Sequence, residues 1–217
     1  AQALDATGLQ AIDAAVNAVA PKMVAWRRDI HAHPELSGQE VRTAKLVAEH
    51  LKKLGMEVQT GVGGTGVVGT LKGGLPGKVV ALRADMDALP VQENTGLPFA
   101  SKAKATYLGK EVPVMHACGH DAHTAMLMGA AEVLAGMKAQ LPGTVKFIFQ
   151  PAEEGAPVEA DANGKVPSFG AKAMIEAGAL KDVQAIYGLH ITSNLPGGVV
   201  GYRSGPLMAG SDNITIH

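Results

Sequence analysis

Apolar residues recur at helical spacing through the opening of the chain, at Leu4, Leu9, Ile12, Val16, Val19, Met23 and Trp26. They predict a helix to about Ile30. A second helix has clearer limits. Ser37 and Glu40 stand three apart, as in a capping box; apolar Val41, Ala44, Val47, Leu51 and Leu54 follow, and Gly55 supplies the stop. The period then changes. Met56 to Val62 and Val67 to Leu71 read as strands around a glycine-rich turn, and Lys78 to Ala84, Val145 to Phe149 and Ala185 to Leu189 read as buried strands. Gly198 to Tyr202 and Asn213 to Ile216 are expected to be strands as well. Between them, a helix from Asp121, taken as its cap, to about Met137 is apolar almost all round, which predicts deep burial. The polar, Pro- and Gly-containing stretch 155–169 reads as a surface loop. Strands interleaved with helices predict an α/β domain in layers, helix–sheet–helix.

Composition narrows the partners. With 217 residues, 47% of them hydrophobic, one good core can be buried, and the net charge of −1 gives no reason to expect nucleic acid or a membrane surface. No apolar run reaches the roughly 18 residues needed to span a bilayer. The chain opens Ala1-Gln2-Ala3 without Met, as after removal of a signal peptide; a periplasmic or secreted protein is expected, with the cytoplasm as the alternative. The single Cys118 excludes an internal disulfide framework and a dithiol oxidoreductase.

Chemistry-bearing residues gather where strands end. Asp85-Met86-Asp87 follows the strand at 78–84, Glu153-Glu154 follows the strand at 145–149, and His190 follows the strand at 185–189; Cys118-Gly119-His120 precedes the apolar helix. In α/β sheets ligands collect beyond the carboxyl ends of strands, and thiolate, imidazole and carboxylate together suit zinc or a similar ion. The helix N-terminus is expected to favour the ionised thiol of Cys118. Each feature alone has an ordinary reading: a structural Cys-x-His pair, a satisfied core histidine, a solvated Glu pair, a strand-end turn. Their number argues for a shared cation, with one Glu binding it and the other, facing away, acting as a base. Gly61 to Gly66 matches G-x-G-x-x-G but leads into a strand, so it reads as a hairpin turn rather than a dinucleotide fingerprint. Met126 and Met128 read as core.

At these residues the sequence resembles the M20 metallopeptidase family, and most of all its amidohydrolase branch of hippurate hydrolases, N-acyl-amino-acid deacylases and auxin-conjugate hydrolases. The resemblance rests on Arg27 to His31 with His33-Pro34-Glu35, Ala84 to Pro90, the HACGHDAH run from His116 to His123, PAEEG at 151–155, and Gly188-Leu189-His190. It implies a zinc-peptidase-like catalytic domain over 1–210, and the start of an α+β lid, through which such proteins dimerise, over 211–217, the rest of the lid being missing from this chain. It implies two divalent cations, zinc or manganese, with Cys118, His120, Glu154 and His190 as ligands, Glu153 as general base and Asp87 as an orienting carboxylate. It also implies hydrolysis of small N-acyl amino acids or peptides by an activated water. A dipeptidase or carboxypeptidase of the same fold, and an inactive metal-binding fragment, are the competing readings.

Overall fold

The computed structural model describes residues 6–157 and 166–207. Helix α1 spans Ala6–Ala32 and α2 spans Val41–Lys53. Strands β1 (Glu57–Val62), β2 (Gly66–Lys72) and β3 (Leu75–Asp85) follow, then a small hairpin of β4 (Lys104–Tyr107) and β5 (Lys110–Pro113). Helix α3 (His120–Gly136), β6 (Pro142–Gln150), α4 (Gly170–Glu176) and β7 (Ala185–Gly188) complete the elements. Five strands form one sheet in the order β1-β2-β6-β3-β7. β2 runs antiparallel to β1 and β6, whereas β3 is parallel to both β6 and β7. The carboxyl ends of β3, β6 and β7 therefore lie on one side of the sheet, and the expected site residues follow them there.

Alternation along the strands divides two cores. Val67, Leu71, Ala84, Val145, Phe147 and Phe149 face α2 and α3, while Val68, Ala81 and Ile148 face Met174 on α4 and Ala179 beyond it. The sheet is thus layered between helices, as the pattern predicts. α3 is sandwiched between the sheet and α1, and α1 comes close because position 129 is glycine: a Cβ there would lie 2.1 Å from the sulfur of Met23. Met128 is fully buried, as expected, but Met126 is exposed.

Four expectations need correction. The strand expected at 185–189 forms as β7 but is not buried: Ile186, Tyr187 and Leu189 are exposed. Ser37 and Glu40 form no capping box. Glu35 does that work, accepting the amides of Arg42 and Thr43 at 2.8 Å each. Ser37 instead donates to Asp87, and Glu40 is fully buried, where its carboxylate accepts the amides of Gly38 and Ala152 and the hydroxyl of Thr65. Asp121 is not the cap of α3: Gly119 precedes the helix, in the left-handed region (φ 98°), and Asp121 accepts Arg27 and His31 of α1. Gly198 to Tyr202 forms no strand; it is exposed and has no partner strand among the described residues. The hairpin β4–β5 was unanticipated. Its turn places Leu108 and Gly109 at φ 48° and 74°, both positive as in a type I′ turn. The strand expected at 213–216 and the expected lid at 211–217 lie outside the described residues. Of the loop expected at 155–169, the described residues 155–157 and 166–169 carry no helix or strand.

Candidate metal centre

His120 is the hub. It opens α3 with no exposed surface, and its Nδ1 lies 3.2 Å from Asp87 Oδ1. Donation from Nδ1–H to that carboxylate leaves the lone pair on Nε2. Nε2 is buried and has no hydrogen-bond partner among the described residues. Around it stand Asp85 Oδ2 at 3.7 Å, Glu153 Oε2 at 3.8 Å and Glu154 Oε1 at 3.8 Å. An orphaned imidazole lone pair facing carboxylates is costly unless something positive joins them. Cys118 Sγ lies 3.5 Å from His190 Nε2, and ligand atoms of Cys118, His120 and His190 all lie within 4.8 Å of one another. The same limit encloses ligand atoms of His120, Glu153 and Glu154. The two groups share His120, so the donor set of S, N and O atoms fits one or two borderline divalent cations.

Two details depart from the sequence reading. Glu153 and Glu154 do not face opposite ways: both carboxylates converge on His120, at the open side of the cluster, with side chains 37% and 26% exposed. Cys118 is not made acidic by the helix N-terminus. Burial, and then the hydrogen bond and charge of Glu154 with Glu153 and Asp85 behind it, push its thiol up to about 12. The carboxylates outweigh the helix dipole until a cation offsets them.

Asp87 lies on the Nδ1 side of His120. Burial alone would raise its pKa, but His120, the Ser37 hydroxyl and the Glu154 amide hold it below the usual range. The Glu154 amide donates to Asp87 Oδ2 at 3.0 Å, so one carboxylate fixes both His120 and the PAEEG turn. That turn is tight: Ala152 has φ 48°, and its amide is held by Glu40 at 2.8 Å. Glu153 has a raised pKa, from burial and then from repulsion by Asp85 and Glu154, against the pull of His120. His120 is itself raised; its burial is outweighed by Asp87, Asp85 and Glu153.

Behind the centre lies a polar layer that sequence reasoning missed. His31 sits between Asp121 (2.8 Å) and Glu93 (3.1 Å), and Arg27 Nε donates to the same oxygen of Asp121. His116 is buried with neither ring nitrogen partnered among the described residues, and burial holds its pKa down at about 4. His123 bonds Asp85. The spacing of His120 and His123, three apart on a helix and therefore on one face, was a usable signal for the last of these.

Residues 81–216 match the family described as Peptidase family M20/M25/M40. The chain belongs to this family. It is 52% identical over 191 residues to thermostable carboxypeptidase 1 of Saccharolobus solfataricus, covering 88% of this chain and 44% of that protein. It is 46% identical over 196 residues to N-acetylcysteine deacetylase of Bacillus subtilis, covering 90% and 46%. Among solved structures, a Bacillus subtilis protein described as a dinuclear metal-binding peptidase of the M20 family superposes with a TM-score of 0.74 at 45% identity, over 88% of this chain and 48% of that one. The chain spans about half the length of the curated relatives it matches.

Proposed function

We propose that the whole protein hydrolyses the amide bond of small N-acyl amino acids, using two divalent cations, zinc or manganese, bound by Cys118, His120, Glu154 and His190. The observation that carries the reading is the buried Nε2 of His120, which has no hydrogen-bond partner among the described residues, with thiol, imidazole and carboxylate donors converging around it. The name of the N-acetylcysteine deacetylase supports the substrate class. Bound there, the cations would lower the pKa of a water toward about 7 and stabilise the oxyanion that develops on the amide carbonyl.

The chain's own residues supply the rest. Glu153 accepts the proton of the attacking water and delivers it to the leaving amine; its raised pKa suits both steps. Its place on the open side of the cluster leaves it reachable by substrate and solvent. Asp87 keeps the proton of His120 on Nδ1 and steadies Glu154 through its amide. Expected outcomes are distinct: Glu153→Ala abolishes turnover of N-acetyl and N-benzoyl amino acids yet retains the cations, whereas Glu154→Ala and Cys118→Ser lose them. Unchanged turnover in Glu153→Ala refutes its role as the base.

A second reading, cleavage of peptides as a carboxypeptidase, is favoured by the 52% identity to the Saccharolobus enzyme. Assaying N-acyl amino acids beside dipeptides with a free amino terminus separates the two, because only the peptidase reading requires turnover of the latter.

A further inference from the structure

We propose that His123 is a positioning residue that places His190 at the cation site, acting as the acceptor for the Ile191 amide rather than as a ligand. The inference rests on the reading that Cys118, His120 and His190 hold a cation. By proximity alone His123 could be a ligand itself, since its ring, Asp85 and His120 offer atoms within 4.8 Å of one another. Its hydrogen bonds argue otherwise. The Ile191 N–H lies 2.8 Å from His123 Nε2, and an amide can only donate, so Nε2 offers a lone pair and the proton sits on Nδ1. Nδ1 lies 2.6 Å from Asp85 Oδ1, where that proton is donated. Both nitrogens are used, the ring is buried, and no lone pair is left for a cation.

The bonds continue inward from Asp85. Arg83 Nη1 donates to its other oxygen at 2.6 Å, Arg83 Nε donates to Gln150 at 2.9 Å, and Thr124 donates to its main-chain carbonyl at 2.8 Å. A continuous set of hydrogen bonds therefore runs from the ends of β3 and β6, through His123, to the backbone after β7.

That backbone needs an anchor. β7 is a four-residue edge strand, and Leu189 and Ile191 beyond it are exposed. Ile191 is gripped from two sides. Its amide is held by His123, and its carbonyl lies 2.6 Å from His190 Nδ1. Donation from Nδ1 to that carbonyl leaves the His190 lone pair on Nε2, the atom 3.5 Å from Cys118 Sγ. Displacing Ile191 thus displaces His190 and releases its tautomer, while His120, Glu153 and Glu154 stay in place. Losing an outer partner of a ligating histidine weakens metal affinity by ~10–100-fold.

The test uses the full-length protein with His123→Asn, whose amide can still reach Asp85 but not Ile191, and His123→Gln, whose carbonyl oxygen can reach Ile191. Amide exchange at Ile191 is followed by NMR in the metal-free protein. Cobalt binding is followed by the charge-transfer band of the Cys118 thiolate. The expected result is faster exchange at Ile191 in His123→Asn, with ~10–100-fold more free cobalt needed to develop the band, and both restored toward wild type in His123→Gln. Unchanged exchange and cobalt affinity in His123→Asn overturn the proposal, as does equal impairment of both variants, which would mark a packing role. A wild-type protein that develops no thiolate band overturns the cation reading, and with it the premise; that failure is distinct, because in the others the wild-type band is present.

Discussion

Replacing His116 with leucine should make the protein more resistant to acid. His116 is 4% exposed and neither of its ring nitrogens has a partner among the described residues, so no hydrogen bond seen there stabilises an imidazolium. Burial outweighs the attraction of Asp121 and moves the ring from 6.5 to about 4. The sign follows. Above pH 6.5 the ring is neutral in folded and unfolded chains alike, and the protein is unaffected. As the pH falls toward 4 the unfolded chain takes up a proton that the folded one refuses, so stability is lost; below 4 both are protonated and the loss levels off. At about 1.4 kcal/mol per pH unit, the gap amounts to about 3 kcal/mol. Leucine has no proton to take up and leaves no hydrogen bond broken, so near pH 8 the substitution should cost less than about 1.5 kcal/mol, as volume-conserving swaps do. Urea unfolding of both proteins, in chelator, from about pH 8 to about pH 4.5, gives the difference directly. Stability curves that run parallel across that range would refute the reasoning, because His116 would then have a partner that tolerates its proton.

Three further outcomes follow from the geometry. Glu35→Ala removes the acceptor of two amides at the start of α2 and should cost about 1–2 kcal/mol in urea unfolding; a loss below a few tenths of a kcal/mol would contradict its capping role. Gly119→Ala forces a side chain into the left-handed region and places a Cβ 2.2 Å from Ile191 Cγ2, so a loss of about 1–3 kcal/mol together with weaker cation binding is expected from melting and metal titration. Cation uptake should release about one proton near pH 8, because the Cys118 thiol, pushed up to about 12, must ionise to bind; calorimetry in two buffers of different ionisation enthalpy measures it, and zero release argues against Cys118 as a ligand.

The central strands were legible because burial on both faces leaves mostly apolar, β-branched and aromatic residues in them, as in Val145 to Phe149, where only Lys146 departs from the rule and reaches out to the carbonyls of Ala179 and Lys181. The candidate centre was legible for a related reason: polar side chains such as Asp87 and Glu154 directly after such strands have nowhere ordinary to go. What stayed hidden was decided by partners distant in sequence. Ser37 and Glu40 have the spacing of a local cap, yet Ser37 bonds Asp87 and Glu40 bonds Thr65 and Ala152, because both are buried against other elements. Gly198 to Tyr202 has the propensity for a strand, but propensity needs a neighbour to pair with. In the sequence His123 reads as part of an apolar helix and as the end of the HACGHDAH run, with no role of its own; its role depends on a loop that follows β7.

The parallel pairing at the sheet centre has a consequence for synthesis. Asp85 at the end of β3 pairs with Gln150 at the end of β6, and Val67 on β2 pairs with Phe149 on the other side of the same strand. During translation β2 and β3 therefore leave the ribosome well before the strand that joins them, each with an open apolar edge. Until β6 arrives they can pair with each other's equivalents on neighbouring nascent chains. Closing such distant pairs is entropically slow, so the yield of soluble protein should depend on translation rate and chaperone supply more than on the stability of the finished fold.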